Sequence, residues 1–405
     1  MTSKLAAEGG SPVRATPMPP WPQPGEDQIA AAERVVRSGK LGYWVGEEGR
    51  SLEREYAASL GCAHGVAVAN GTLALELALR AFSIGPGDEV VVPSRSFVAT
   101  ASCIVAVGAI PVFADIDTTS NALTAETVSA VLTGRTAAVI PVHVGGWPAD
   151  MDPIMALAEE RGLIVIEDCA QAHGARYHGR PIGSIGHAAA FSFCQDKIMS
   201  TGEGGLFTTD GEAAYTRAWE YKDHGKSLAK LTDPAFPSAT SGFKWLHDSF
   251  GSNWRMPEVQ AAMAREQLHE LAAWHAQRTR NALRLAEAIA DAPGLHVPLP
   301  PPGVDSAFYR LYGRVDLEAL APGWTRDRVI EAISAEGTPC QYGSCAEMYR
   351  EEAFVSAGLG PAGRLPAAGL VHETSIAFFV HPTLHAPDID DTAEAVRKVL
   401  TAACR

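Results

Sequence analysis

The stretch Met151-Asp152-Pro153-Ile154-Met155-Ala156-Leu157-Ala158-Glu159-Glu160-Arg161-Gly162-Leu163-Ile164-Val165-Ile166-Glu167-Asp168 holds two kinds of periodicity side by side. Met151–Arg161 carries apolar residues at helical spacing, with Asp150 placed to cap its start and Gly162 placed to end it. Leu163–Ile166 is then an unbroken apolar run that stops at two carboxylates, Glu167 and Asp168. A helix feeding directly into a short continuous apolar strand is the repeating unit of a sheet covered on both faces.

The same alternation extends outward in both directions. Strand-like runs are Val66–Ala69, Glu89–Val92, Pro111–Ala114, Ala137–Val142, Ala188–Phe193 and Leu206–Thr208, and helix-like stretches include Thr72–Phe82 and Ala125–Leu132. This density of alternation predicts an α/β domain with a mostly parallel sheet. Gly225–Gly251 reads as a loop, with Pro234, Pro237 and a Ser/Gly cluster. A long helical pattern runs from Pro257 to about Asp291 and ends in prolines. Beyond it, strands at Tyr309–Val315 and Ser375–Val380 and helices at Arg326–Glu336 and Asp391–Ala402 predict a smaller α+β C-terminal domain. The expected division is residues 1–27 as a flexible arm, 28–256 as the large domain, and 257–405 as the linking helix and small domain.

Composition bounds the partners. The chain has 405 residues, with 33 Lys and Arg against 47 Asp and Glu, a formal charge of −14. That length suits two or three domains. The acidic balance gives no excess of cations for nucleic acid or an anionic membrane. No apolar run approaches the roughly 18 residues needed to cross a bilayer. The N-terminal residues lack a signal-peptide core, and seven cysteines occur without a Cys-x-x-Cys pair. The expectation is a cytoplasmic protein with reduced thiols and no bound metal.

Ligands of open α/β sheets bind at the carboxyl ends of the strands. There the first strand gives Asn70-Gly71-Thr72, whose backbone N–H groups at a helix start suit a phosphate. The turn is not Gly-x-Gly-x-x-Gly, and Gly202-Glu203-Gly204-Gly205 lacks the Lys-Ser/Thr of a nucleotide-binding loop. The fifth strand ends at Asp168, with Gln171 soon after. The sixth ends at Ser192, and Lys197 follows. A lysine amine, a carboxylate, a phosphate cradle and an aromatic platform at Phe97 are together what pyridoxal phosphate requires.

Those motifs resemble the DegT/DnrJ/EryC1/StrS aminotransferases, which act on sugars and aminocyclitols. The resemblance lies in Ala190-Phe191-Ser192-Phe193, Lys197, Thr201-Gly202-Glu203-Gly204-Gly205, Asn70-Gly71-Thr72, Gly85-Pro86-Gly87-Asp88-Glu89-Val90 and Ser96-Phe97-Val98-Ala99-Thr100. It continues in Pro148-Ala149-Asp150-Met151, Ile166-Glu167-Asp168-Cys169-Ala170-Gln171 and Asn253-Trp254-Arg255-Met256. It implies the type I fold of pyridoxal phosphate-dependent transferases, the one named for aspartate aminotransferase. Residue by residue, it implies that Lys197 forms the Schiff base and shuttles the proton. Asp168 binds the pyridine nitrogen, Gln171 lies near the ring hydroxyl, and Phe97 stacks on the ring. Gly71, Thr72 and Ser192 bind the phosphate, and Asn253 completes it from the neighbouring subunit of a homodimer. The implied reaction moves an amino group from glutamate or glutamine to a keto or aldehyde carbon of a nucleotide-linked sugar or a cyclitol. Its product would be an amino sugar for a natural product or a surface polysaccharide.

Cys194-Gln195-Asp196, the segment Lys222–Lys226 and the loop Gly343–Glu347 depart from the family pattern and are expected to face the acceptor. Lys222, Lys226 and Arg255 are candidates for a nucleotide diphosphate. Two other readings use the same scaffold. A pyridoxamine-dependent sugar dehydratase replaces the Schiff-base lysine with histidine, and Lys197 speaks against it. A catalytically idle cofactor- or sugar-binding regulator would not need the intact set of Lys197, Asp168, Gln171 and Ser192. His143, His173 and His381 are read as hydrogen-bonded histidines rather than metal ligands.

Overall fold

The structure, a computed structural model, describes residues 4–233 and 245–405. Seven strands form the central sheet: β1 (His64–Val68), β2 (Glu89–Pro93), β3 (Ile110–Ala114), β4 (Thr136–Val139), β5 (Ile164–Asp168), β6 (Ala188–Ser192) and β7 (Gly205–Thr209). Their spatial order is β1-β7-β6-β5-β4-β2-β3, and β7 alone runs against its neighbours. Alternate residues of each strand enter separate cores. Ala67, Val91, Val165 and Leu206 pack on one face; Val66, Val90, Ile166 and Phe207 pack on the other. Burial on both faces is why these strands read as continuous apolar runs.

The Met151–Arg161 helix has the boundaries its sequence predicts, and Gly162 terminates it. Asp150 occupies the N-cap position without capping: its carboxylate accepts a hydrogen bond from the Tyr177 hydroxyl instead. The long helix spans Glu258–Ala288 and leads to a second, antiparallel sheet. That sheet contains β8 (Leu295–His296), β9 (Leu311–Val315), β10 (Cys340–Gln341) and β11 (Ser375–Phe378), in the order β8-β9-β11-β10. The helix Ala386–Ala403 buries Ile389, Val396, Val399 and Leu400 against it. No helix among the described residues is long and apolar enough to cross a membrane.

Two expectations change. The predicted loop Gly225–Gly251 contains a short helix, Leu228–Thr232, while Pro234, Pro237 and the Ser/Gly cluster through Gly242 lie outside the described residues. The N-terminal segment, expected to be flexible, is fastened along its length. The Ala6 and Val13 N–H groups donate to the Glu336 carboxylate at 2.8 and 3.1 Å, and Leu5 is buried. Arg14 reaches both Asp388 and Asp391 at 2.8 Å. Those acceptors lie more than 300 residues away in sequence, so local composition gave no sign of them.

Beneath the sheet edge, His173 is fully buried. Its Nε2 bonds the Ser192 carbonyl at 2.9 Å, and Nδ1 bonds the Tyr56 hydroxyl at 2.6 Å. Burial lowers its pKa from 6.5 to about 4. The unfolded chain therefore takes up this proton at higher pH than the native one does. The associated stability is full above pH 6.5 and is lost as pH falls toward 4, about 3 kcal/mol in all at roughly 1.4 kcal/mol per tenfold. The melting temperature should fall across that window. The fall should be shallower in His173→Asn, which starts from a lower stability; an equally steep fall in the variant would place the loss elsewhere.

Candidate active site

Asp168 ends β5, at the middle of the sheet's carboxyl edge, and it is buried. One carboxylate oxygen accepts from the Thr100 hydroxyl at 2.8 Å, the other from the Ala170 N–H at 3.1 Å. Burial raises its pKa, and Thr100, Ala170 and the charge of Lys197 oppose that rise. The Ser96 hydroxyl braces Thr100 at 2.8 Å, and the Thr100 N–H in turn bonds the Phe97 carbonyl at 3.1 Å. Phe97 itself, four residues beyond the second strand, is 65% exposed.

The phosphate-like cradle is built by close approach. Gly71 opens the helix Gly71–Ala81, and the Asn70 side chain caps it by accepting from the Leu73 N–H at 2.9 Å. A Cβ added at Gly71 would stand 2.6 Å from the Ser192 Cβ and 2.9 Å from its hydroxyl. The positive end of that helix, with Thr72 exposed in its first turn, thus lies against the Ser192 hydroxyl, a pairing suited to an anion.

Lys197 lies in the turn after β6, half-buried. Its ammonium sits 5.1 Å from the centre of the Tyr309 ring. The Tyr309 hydroxyl donates to Asp196, and Arg310 approaches the same carboxylate at 3.6 Å. Gln171 is held at both ends. Its carbonyl accepts from the Gly145 N–H at 2.7 Å, and its amide donates to the Ser344 hydroxyl at 3.3 Å. Asn253 is exposed. It pairs with Asp223 in a segment whose next residue, Trp254, accepts from the Ala69 N–H at 2.9 Å. Within one chain Asn253 hydrogen-bonds none of the other site residues.

Two sequence expectations need revision. Lys222 cannot serve a substrate, because it is fully buried, ion-paired with Glu53 at 2.8 Å and packed over the Tyr43 ring. Lys226 and Arg255 are present at the surface but share the single carboxylate of Asp223. The structure also adds Tyr309 and Tyr312, and gives individual partners to Thr100 and Ser344, which the sequence marked only as parts of motifs. The Tyr312 ring is clamped between Gly145 and Gly343, both in the left-handed region, and a Cβ at Gly145 would stand 2.6 Å from it. Burial would raise the Tyr312 pKa, but Arg95, 4.5 Å from the ring centre, and hydrogen bonds from Ser344 bring it below the usual phenol value.

The buried trio His143, Glu167 and Cys169 brings its ligand atoms within 4.8 Å. Their capacity is already used. His143 Nδ1 accepts from the Ala149 N–H, so Nε2 carries the proton and faces Glu167. Glu167 also accepts from the N–H groups of Gly183, Ile185 and Gly186. Burial alone would raise its pKa, yet His143 and those N–H groups hold it below the ordinary carboxylate value.

Residues 22–397 match the model of the DegT/DnrJ/EryC1/StrS aminotransferase family. The chain belongs to this family. It is an aminotransferase with the type I α/β fold. A solved aminotransferase from Psychrobacter cryohalolentis superposes with a TM-score of 0.92 at 45% identity, over 96% of this chain and all of that one. The L-glutamine:2-deoxy-scyllo-inosose aminotransferase of Streptomyces kanamyceticus is 35% identical across 98% of this chain and 97% of its own. The UDP-N-acetyl-3-dehydro-alpha-D-glucosamine 3-aminotransferase of Acidithiobacillus ferrooxidans is 42% identical over 72% of this chain and 73% of its own.

The cradle makes its own prediction. In Gly71→Ala the new methyl must push into Ser192, which the sheet holds in place. The variant should fold with its stability lowered by about 1–3 kcal/mol of overpacking, and the folded protein should bind pyridoxal phosphate at least about tenfold more weakly, the scale of one or two lost anion contacts. Equilibrium titration of the cofactor-free protein measures this, and unchanged affinity would remove Gly71 and Ser192 from the cradle.

Proposed function

We propose that the chain is a pyridoxal phosphate-dependent transaminase that takes the amino group of glutamine and delivers it to the keto carbon of a cyclitol. The bare Gly71 lets the start of its helix lie directly against Ser192, where any Cβ would clash, so the helix N–H groups and the Ser192 hydroxyl stand side by side and fit the cofactor's phosphate. Asp168, a buried carboxylate with protein partners on each oxygen and lone pairs to spare, fits a protonated ring nitrogen. When bound, pyridoxal phosphate supplies an electron sink for the carbon that loses or gains a proton. Lys197 supplies the amine that holds the cofactor and carries that proton. Asp168 keeps the ring nitrogen charged, Gln171 orients the ring edge and Phe97 covers one ring face.

The observation that favours a cyclitol over a nucleotide-linked sugar is the engagement of the cations. A diphosphate needs free positive charge, whereas Lys222 is sealed against Glu53, and Lys226 and Arg255 already share Asp223. The full-length likeness to a glutamine:inosose enzyme supports both the donor and the acceptor. Borohydride should fix the cofactor on the peptide containing Lys197. Glutamine alone should release 2-oxoglutaramate once per site, and turnover should then require 2-deoxy-scyllo-inosose or a related inosose. A UDP-linked keto-sugar used more efficiently than any inosose would overturn the acceptor, and label on another lysine would overturn the site.

We also propose that the enzyme is a homodimer with shared sites, in which the exposed Asn253 reaches the partner's cradle. Mixing Lys197→Ala with an inactive Asn253 variant under subunit exchange should restore about a quarter of the sites, because each hybrid dimer pairs one intact site with one doubly defective site. A mixture as inactive as its parents would show that Asn253 serves its own chain.

A further inference from the structure

Lys197 is gripped from outside the sheet. Its main-chain carbonyl accepts a hydrogen bond from the Trp21 indole N–H at 2.9 Å, across 176 residues of sequence. The indole occupies a built slot. Trp274 meets it edge-on, with ring centres 5.2 Å apart, and His381 lies nearly parallel at 6.1 Å. The Arg278 guanidinium stands 5.0 Å from the ring centre. Arg278 is fully buried. Its Nε and one Nη have no hydrogen-bond partner among the described residues, and its other Nη reaches only the Phe308 carbonyl at 3.4 Å. Burial and the neighbouring Arg310 lower its pKa to about 9. The face of Trp21 therefore partners a cation that has no carboxylate, which fixes the indole in place.

The chain leading to Trp21 is fixed as well. The Pro20 carbonyl accepts from the Thr383 hydroxyl at 2.9 Å, and Arg14 and Glu336 anchor the preceding residues to the C-terminal layer. We infer that Trp21 is a positioning residue: its indole N–H holds the Lys197 main chain, tying the reactive amine to the layer on which the N-terminal segment is fastened. The inference rests on the reading of Lys197 as the cofactor-binding amine. It gives the N-terminal segment a part in the reaction although none of its residues need touch the substrate.

Trp21→Phe keeps a ring in the slot and deletes the donor. In the cofactor-free full-length protein, amide exchange across residues 194–201 should become about tenfold faster while other segments stay unchanged. In the holoenzyme, kcat for the glutamine half-reaction should fall about tenfold with KM within twofold, because the amine is misplaced rather than the donor site damaged. Should Trp21→Phe fail to fold, Thr383→Val releases the segment at Pro20 and should move both readouts in the same direction by a smaller factor. Exchange and kcat at parental values in the folded variant would overturn the inference. The exchange result does not depend on the cofactor, so it separates this inference from a failure of the transaminase reading, which borohydride labelling of the parent decides.

Discussion

Two adjacent carboxylates on one buried strand set the terms for everything around them. Side chains of neighbouring strand residues point to opposite faces, so Glu167 and Asp168 must each find partners separately, and burying either charge unpaired would be prohibitive. Glu167 is saturated: three backbone N–H groups from residues 183–186 and the His143 imidazole take up its oxygens. That saturation folds the loop before β6 back onto the sheet and fixes where β6 begins. Among the described residues Asp168 accepts from only Thr100 and Ala170. A carboxylate offers about four acceptor positions, so the second residue of the pair retains the capacity that the first has spent. One side chain of the dipeptide is spent on structure, and the other keeps acceptor positions open.

The other buried charges follow a different rule, and it links the two sheets. Arg95 is buried against neutral groups, with N–H groups on Asn121 and Ser375 and its face on Tyr312. The phenol, made more acidic by that cation, accepts from the Ser344 N–H at 3.0 Å, and the Ser344 hydroxyl holds Gln171. Gln171 belongs to the central sheet's edge, while Tyr312 belongs to β9 of the C-terminal sheet. The position of the amide beside the expected cofactor is thus set by a tyrosine more than 140 residues downstream, and Gly145 and Gly343 leave just the room its ring needs. The C-terminal layer is part of the site rather than a lid over it.

This division explains what could be read from the sequence. Strands such as Leu163–Ile166 were legible because two-sided burial writes itself as an apolar run, and the helix before them because its periodicity and Gly162 are local. The placement of Asp168, Gln171, Ser192 and Lys197 at the sheet's carboxyl edge was legible because each ends or follows a strand, where ligands of such sheets gather. Thr100, Tyr312, Ser344 and Trp21 were not, since each acquires its role only through a contact far away in the chain. Lys222 was misread for the same reason. A lysine flanking a loop is ordinarily solvated, and nothing nearby announces that Glu53 will enclose it. The N-terminal segment, rich in proline and poor in large apolar residues, carries no periodic signal; its order comes from Glu336, Asp388 and Asp391.

The surface near Asn253 completes the electrostatic argument. Lys226 and Arg255 lean on one oxygen of Asp223, whose other oxygen is buried with no hydrogen-bond partner among the described residues, so among those residues two cations answer one anion and a single positive charge is left over. Trp44, 42% exposed, lies against Lys226, with the Lys226 ammonium 4.3 Å from its ring centre, and Asn253 pairs with Asp223 in the same neighbourhood. An exposed indole beside an incompletely neutralised ion group gains from being covered only by a surface that brings an anion, because the apolar area then leaves water while the residual charge exchanges its hydration for a partner. On the shared-site reading, what covers it is a second copy bearing its own Gly71–Ser192 cradle, and the surplus charge then meets the cofactor's phosphate. That use exhausts the surplus. A nucleotide diphosphate would need further cations that Lys222, sealed on Glu53, does not provide, whereas a cyclitol asks for none, so the same charge count that favours the dimer also favours the uncharged acceptor.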